Sequence, residues 1–326
     1  MANEQRKMFG TALICAVGAG MMWGLAFFIP KLLSGFTSWE ITLGRYLFYG
    51  VFSLGLLLIR FEQVKRVSLR IWGMALLYAL VGNIGYYLLL VIGIRLSGST
   101  VTTLIIGTLP VTMSLYGNYI KREFPFRLML LPVTLILAGM LTLQMAGSGG
   151  GATGSLSLHN GLGILCALLA LAMWTWFGVA NAHFLQKHHQ IDSSLLITLI
   201  GCQTLLITVS VVLFDLWVTR EVVSALVSKP HFQAFLLGSF VLGICVSWIA
   251  GWLWNIASRQ LPVSLLGNLI VLETIFGLLY VYLYEHYIPS LLEFVSMGVV
   301  LAGLFLAINR YGRMKQVESH PLSEST

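Results

Sequence analysis

Residues 262–284 read PVSLLGNLIVLETIFGLLYVYLY, an apolar stretch that contains a single charged side chain, Glu273. A helix of this length rises about 35 Å, which is enough to cross the hydrocarbon core of a bilayer of about 30 Å. The stretch shows no alternation of polar and apolar residues, so it predicts a membrane-spanning helix rather than a strand. Glu273 then lies about 16 Å from the start of the span, close to the middle of the membrane.

The whole chain has the same character as this stretch. Of its 326 residues, 58% are hydrophobic and only 10% are charged, whereas soluble proteins carry about 25% charged residues. This comparison excludes a cytosolic enzyme, a disordered regulator and a secreted disulfide scaffold. Ten helices of about 20 apolar residues would use about 200 residues and leave about 100 for loops and tails. We therefore predict an all-α polytopic membrane protein with ten transmembrane helices.

Charged and turn residues divide the chain into two series of five spans. The first repeat, residues 1–146, has predicted helices at about 9–33, 39–59, 71–94, 99–120 and 127–146. The second repeat, residues 160–310, has predicted helices at about 160–182, 193–214, 234–257, 262–284 and 290–309. Between the repeats, residues 147–159 have the composition of a Gly-rich linker, and residues 311–326 are expected to form a polar cytoplasmic tail.

The basic residues predict the orientation of the spans. With a cytoplasmic N-terminus, 14 of the 19 lysines and arginines face the cytoplasm and four face outward, while Arg45 is embedded. Cytoplasmic loops carry an excess of basic residues, so both termini are predicted to be cytoplasmic. Because each repeat has an odd number of spans, the second repeat must be inverted relative to the first, as in many secondary transporters.

Short motifs recur between the two series. Met22–Trp23 in the first span recurs as Met173–Trp174 in the sixth, and Ala138–Gly139 in the fifth span recurs as Ala302–Gly303 in the tenth. These matches are few, but they occur at corresponding positions. They favour an internal duplication.

The order of these motifs resembles a known family. Trp23–Gly24, then Arg45, Pro110 and Glu123 resemble one half of an EamA-type transporter of the drug/metabolite transporter superfamily. Trp174, Leu272–Glu273, Glu285 and the stretch 298–303 resemble a second half. The resemblance covers about residues 10–310. It implies a ten-helix transporter, with a central cavity drawn from both halves, that exports amino acids or related metabolites.

Two charged residues lie at membrane depth. Glu273 is a candidate proton carrier or counter-ion for an amine, because an embedded carboxylate needs a cavity, a partner or a proton. The alternative is a permanently protonated glutamate that is hydrogen-bonded to a neighbouring helix. Arg45 suits a carboxylate or phosphate group of a substrate. The alternatives are that Arg45 extends to the membrane surface or pairs with Glu40.

Aromatic and polar side chains recur well inside several spans, where they can line a cavity. Packing or lipid contact is the alternative for each of them, and only their joint occurrence favours a cavity. A further set of small or polar residues follows one face of the fourth span, where close helix packing is equally compatible. The candidate cavity residues, besides Arg45, are Trp23, Tyr78, Asn83, Tyr86, Tyr87, Thr103, Gly107, Pro110, Trp174, Trp248, Trp252, Asn255 and Asn268.

No cofactor or metal is expected. His183, His188 and His189 fall in the predicted cytoplasmic loop between spans 6 and 7 without the spacing of a zinc site, and the chain has no HExxH, GxSxG or P-loop motif. The basic residues lie singly between apolar runs, so their expected partner is the lipid bilayer and not nucleic acid.

These observations predict a secondary transporter, more specifically an exporter, of a small organic solute in a bacterial-type inner or plasma membrane. It is expected to work by alternating access, and proton coupling is a hypothesis that rests on Glu273. The alternatives are a non-transporting membrane protein, such as a sensor or assembly factor, and an intramembrane enzyme. The sequence leaves the oligomeric state open.

Overall fold

A computed structural model describes residues 2–147, 158–218 and 226–319, and within these ranges the chain is all-helical. Nine of the described helical segments, with Val263–Glu285 counted as one, are long and apolar enough to cross a membrane, which confirms the polytopic all-α fold. The first series comprises α1 (Ala2–Leu32), α2 (Ser38–Ile59), α3 (Leu69–Ser97), α4a (Ser99–Ile106), α4b (Leu109–Lys121) and α5 (Phe126–Gly147). The second comprises α6 (Leu158–Lys187), α7 (Ser193–Val218), α8 (Phe232–Gln260), α9a (Val263–Leu269), α9b (Leu272–Glu285) and α10 (Leu291–Ser319).

The described helices overlap the predicted ones, and most of their bounds differ by a few residues. Helix α10 continues to Ser319, so part of the expected tail at residues 311–326 is helical. Residues 148–157 of the expected linker and residues 320–326 of the expected tail lie outside the described residues.

Two of the predicted spans are interrupted near their middle. Gly107 and Thr108 separate α4a from α4b, and Pro110 follows within the first two residues of α4b. Proline lacks the backbone N–H and its ring collides with the carbonyl group four residues earlier, so a continuous helix is disfavoured here. Ile270 and Val271 separate α9a from α9b in the same way, although no proline lies at that break.

Two other helices contain a π-helical segment. These segments are Ala79–Gly85 in α3 and Leu242–Ile249 in α8, the third helix of each series. The interrupted helices that follow also end alike, because Arg122 after α4b and His286 after α9b both adopt the left-handed conformation, each with φ of 51°. The two halves of the chain therefore show the same irregularities in the same order.

Helices of the first series pack mainly against helices of the second series. Helix α1 packs against α8 and α9b of the second series, and α6 packs against α3 and both parts of α4 in the first. Helix α2 packs against α7, and α4b against α9a. Helices α5 and α10 pack mainly against each other. The walls of the central region are therefore drawn from both halves.

Close contact between α4b and α9a depends on glycine. A Cβ atom on Gly267 would lie 2.4 Å from the backbone nitrogen of Ser114, which real structures do not tolerate. We expect Gly267→Ala to lower the free energy of unfolding by about 1–3 kcal/mol, because the two backbones must move apart. Gly298→Ala in α10 is the matched control, since a Cβ there meets nothing within 4 Å. Denaturant unfolding in detergent measures both, and equal stability of the two variants would contradict the prediction.

Candidate functional site

A central cavity of about 300 Å³ lies between helices of both halves. Helices α1, α2 and α3 supply one side, and α6, α7, α8 and α9b supply the other. Its wall contains eight of the residues that the sequence singled out, which are Trp23, Arg45, Asn83, Tyr86, Tyr87, Trp174, Asn255 and Glu273.

Aromatic rings form much of this wall. The ring of Trp23 meets that of Trp174 edge to face at 6.3 Å between centroids, and that of Trp254 at 5.0 Å. Tyr86 approaches Trp174 from α3, with 6.5 Å between the ring centroids. Such pairs hold one another in fixed orientations. The cavity therefore has a preformed apolar body with a few polar atoms at its edge.

Arg45 lies in the cavity wall, where two neutral side chains contact it. Its Nε atom donates a hydrogen bond of 2.8 Å to Oγ of Ser247 in the π-helical segment of α8. Its guanidinium carbon also lies 5.7 Å from the ring centroid of Tyr46. Neither contact neutralises the positive charge. The guanidinium group is consequently free to bind an anionic group of a solute.

The expected alternative partner of Arg45 is engaged elsewhere. Glu40 pairs with Lys229 at 2.8 Å and accepts a hydrogen bond of 2.7 Å from the backbone of Thr37. This contact caps α2, because Thr37 in turn accepts from the Glu40 backbone. The suggested Arg45–Glu40 pair therefore does not form, because capping and Lys229 satisfy the carboxylate.

Glu273 lies in the first turn of α9b, directly after the break in span 9. The N-terminal end of a helix carries a partial positive charge that favours a nearby carboxylate. The four ion pairs found among the described residues include neither Glu273 nor Arg45, although both side chains border the same cavity. The site therefore presents one acidic and one basic group that border the same cavity and form no ion pair with each other among the described residues.

The two cavity asparagines are tied to neighbouring helices. Asn83 donates a hydrogen bond of 3.0 Å to Thr204 of α7. Asn255 accepts one of 2.8 Å from Asn181 of α6 and donates one of 3.1 Å to the carbonyl oxygen of Ser193. These bonds cross between helices, so they fix the shape of the cavity at the same time as they supply polar atoms to its wall.

Four predicted cavity residues lie elsewhere. Tyr78 is buried and donates to the carbonyl oxygen of Ala180, and Asn268 is buried and donates to that of Ser264. Trp248 donates to Thr198, and Trp252 stacks beside it with its side chain partly exposed. The structure thus does not bring Tyr78, Trp248, Trp252 and Asn268 to the cavity. In α8 the face that lines it carries Val246, Ser247, Gly251, Trp254 and Asn255.

The stripe on the fourth span borders a second cavity. This space of about 660 Å³ lies between α1, α4a, α4b, α5 and α9b, and its wall includes Thr103, Gly107 and Pro110. Phe27, Leu109 and Glu273 border both cavities. Glu273 therefore lies at the boundary between the central cavity and a larger second one.

The fold and this site together define a polytopic membrane transporter. Residues 10–145 match the EamA-like transporter family. The inner membrane protein YtfF of Escherichia coli (strain K12) is 27% identical over 329 residues, covering 97% of this chain and 98% of YtfF. The first half of the chain is thus similar to the EamA-like transporters, and the chain is a multi-pass protein of the bacterial inner membrane.

A solved structure shares the fold. The crystal structure of one protein superposes on this chain with a TM-score of 0.74 at 18% sequence identity. The match covers 94% of this chain and 99% of that one. At this identity the likeness shows the fold alone.

Proposed function

We propose that this protein is a secondary transporter that exports a small zwitterionic metabolite, such as an amino acid, by alternating access. The observation that carries the proposal is the central cavity, in which Arg45 and Glu273 face a common space without pairing with each other. Its volume of about 300 Å³ suits a small organic molecule.

The proposal includes ten spans in two inverted repeats, residues 1–146 and 160–310, with both termini cytoplasmic. The paired π-helical segments and the paired helix breaks support this arrangement, because a duplicated half would reproduce them in the same order. Inverted repeats place the solute site near the midplane, between the halves. Alternating access then requires one half to move against the other.

The charges in the cavity suggest how a zwitterion would be held. The guanidinium group of Arg45 can donate two parallel hydrogen bonds to the carboxylate of a solute, and the carboxylate of Glu273 can pair with its ammonium group. The rings of Trp23, Trp174 and Trp254 would cover the apolar part of the solute. A phosphorylated solute fits less well, because Arg45 is the cavity's one lysine or arginine among the described residues.

Glu273 also offers a route to proton coupling. The carboxyl group of Glu273 can bind a proton, or it can pair with an ammonium group in its ionised form, but it cannot do both at once. Solute binding on one side of the membrane would therefore displace a proton, and proton binding on the other side would release the solute. Under an inward proton gradient this exchange drives solute outward.

Counterflow in proteoliposomes tests the proposed transport. Vesicles are loaded in turn with amino acids, amines and organic acids, and uptake of the labelled solute is measured. We expect saturable exchange with at least one amino acid and weaker exchange with solutes that lack either charge. Exchange with none of these solutes would refute the proposal and would favour a non-transporting membrane protein or an intramembrane enzyme.

Arg45→Gln should separate the roles of the two charges. We expect the variant to raise the concentration of amino acid for half-maximal counterflow by about 10- to 100-fold, because it removes a charged hydrogen-bond donor. Counterflow of an amine without a carboxylate should change far less. Arg95→Gln, an exposed arginine near the end of α3, is the matched control. Equal losses for the amine and the amino acid would contradict carboxylate recognition by Arg45.

A further inference from the structure

A third cavity lies where α3 begins and where α4b and α6 end. It has a volume of about 310 Å³ and is separate from both cavities that contain Glu273. Its rim is basic, with Arg70 in the first turn of α3 and His183, Lys187 and His188 at the end of α6. This is the end of the bundle that the basic residues predict to be cytoplasmic.

The basic rim has no acidic counterpart. No Asp or Glu lines the cavity among the residues that the structure describes, and none of the four ion pairs found there includes a rim residue. Lys121 at the end of α4b adds a further positive charge that acts on His183. Concentrated positive charge without an internal partner favours an anionic ligand.

Below the rim, the cavity becomes apolar and aromatic. The ring of Tyr78 meets those of Trp176 and Phe184, with 6.1 and 6.2 Å between centroids. Tyr116 and Ile120 of α4b form the outer part of the wall and are 36% and 46% exposed on the surface of the bundle. The cavity therefore continues sideways onto a surface that contacts lipid chains in a membrane-spanning bundle.

We propose that this cavity is a binding site for an anionic phospholipid. The guanidinium group of Arg70 and the side chains of Lys187 and His188 bind the phosphate. An acyl chain lies along Tyr116 and Ile120, towards the middle of the membrane. A polar and anionic head with an apolar tail matches the order of the cavity, whose charges are at the membrane surface and whose rings are about one to three turns deeper.

Thermal unfolding in a neutral detergent tests this site with lipid as the probe. We expect phosphatidylglycerol to raise the midpoint temperature at concentrations at least about 10-fold below those needed for phosphatidylcholine. The variant Arg70→Gln/Lys187→Gln/His188→Gln should lose this difference. Lys65→Gln/Arg66→Gln, which removes exposed basic residues just before α3, should keep it. Equal effects of the two lipids on the wild type would overturn the proposal, as would equal stabilisation by inorganic phosphate alone.

Tryptophan quenching provides a readout that leaves every charge in place. Brominated phosphatidylglycerol should quench the protein's fluorescence more than brominated phosphatidylcholine, because its chain lies against the cavity that Trp176 borders. Trp176→Phe should remove most of this difference, and Trp217→Phe, whose side chain is 80% exposed at the far end of α7, should not. If the difference persists in Trp176→Phe, the lipid does not occupy this cavity.

Discussion

Replacement of Glu273 by glutamine is expected to abolish transport driven by a pH gradient and to lower amino-acid counterflow by about 100-fold. Glutamine has nearly the same shape, but it neither binds a proton nor pairs with an ammonium group. Loss of a hydrogen bond to a charged group in a desolvated site costs about 3 kcal/mol, which corresponds to the stated factor. Uptake into proteoliposomes, with and without an imposed pH gradient, measures both effects.

The matched control for this variant lies on the same helix. Glu285 is at the end of α9b, where it pairs with Lys31, and both side chains are partly exposed. Glu285→Gln therefore removes an acidic residue from α9b without changing the central cavity, and it should retain both activities. If Glu273→Gln transports normally and keeps the wild-type dependence on the pH gradient, Glu273 is not the coupling residue. If only the pH dependence is lost, Glu273 carries the proton but does not bind the solute.

The positions of the helices were predictable because the bilayer imposes a simple constraint on composition. Any segment that crosses the hydrocarbon core must be about 20 residues long, apolar and helical. The break in span 4 also has a visible cause in Pro110. The break in span 9 has none, since Ile270 and Val271 are ordinary helix residues and their interruption depends on the packing around them.

The central cavity was predictable in part. Deep polar and aromatic residues such as Trp23, Trp174 and Glu273 stand out against an apolar background, and the structure places them in one wall. Trp254 was missed in favour of its neighbours Trp248 and Trp252. Those were assigned to a face of a regular helix, whereas Trp248 lies within a π-helical segment and Trp252 follows it, which changes the face that meets the cavity.

Hydrogen bonds and ion pairs between residues far apart in the chain could not be predicted from the sequence. Ser247 holds Arg45 across 202 residues of sequence, and Lys229 holds Glu40 across 189. A serine in an apolar helix is common, and a lysine near a helix end is usually an interfacial anchor. Their pairing becomes apparent only when α2 and α8 are placed side by side. The sequence therefore identified the charges at depth, whereas their environment required the structure.

Glu123 also bonds to a distant segment, and it closes one end of the bundle. It follows α4b, and its carboxylate accepts hydrogen bonds of 3.1 Å from the backbone nitrogens of both Val263 and Ser264. It accepts a third, of 2.8 Å, from Oγ of Ser264. The first N–H groups of a helix have no partner within it, so Glu123 caps α9a from the loop between α4b and α5. Asn118 holds this loop through two hydrogen bonds to the backbone of Phe124.

At the opposite end of spans 4 and 9, α4a and α9b lie apart from each other. There the second cavity, of about 660 Å³, lies between α4a and α9b, with Thr103 on one side and Gly277 and Val281 on the other. One end of the pair is closed by Glu123 while the other is spread apart. In the proposed alternating-access cycle, this asymmetry corresponds to one state, and we expect the bonds of Glu123 to break in the other.

Glu123→Ala should therefore destabilise the closed end. Loss of a helix cap costs about 1–2 kcal/mol, so we expect the backbone amides at the start of α9a to exchange with deuterium about 5- to 30-fold faster. Glu123→Gln retains one acceptor oxygen and should recover part of the protection.

Glu62→Ala is the control for this variant, because Glu62 is an exposed residue that pairs only with Lys65. In Glu62→Ala, the backbone amides of α9a should exchange at the wild-type rate.

Counterflow by Glu123→Ala should also fall by about 10-fold. Without the cap, the closed end opens more often, so a smaller fraction of the molecules is in the state that transport requires. Unchanged exchange in α9a, with wild-type counterflow, would show that the carboxylate of Glu123 does not control this end of the bundle. Faster exchange with normal counterflow would make Glu123 a structural cap alone.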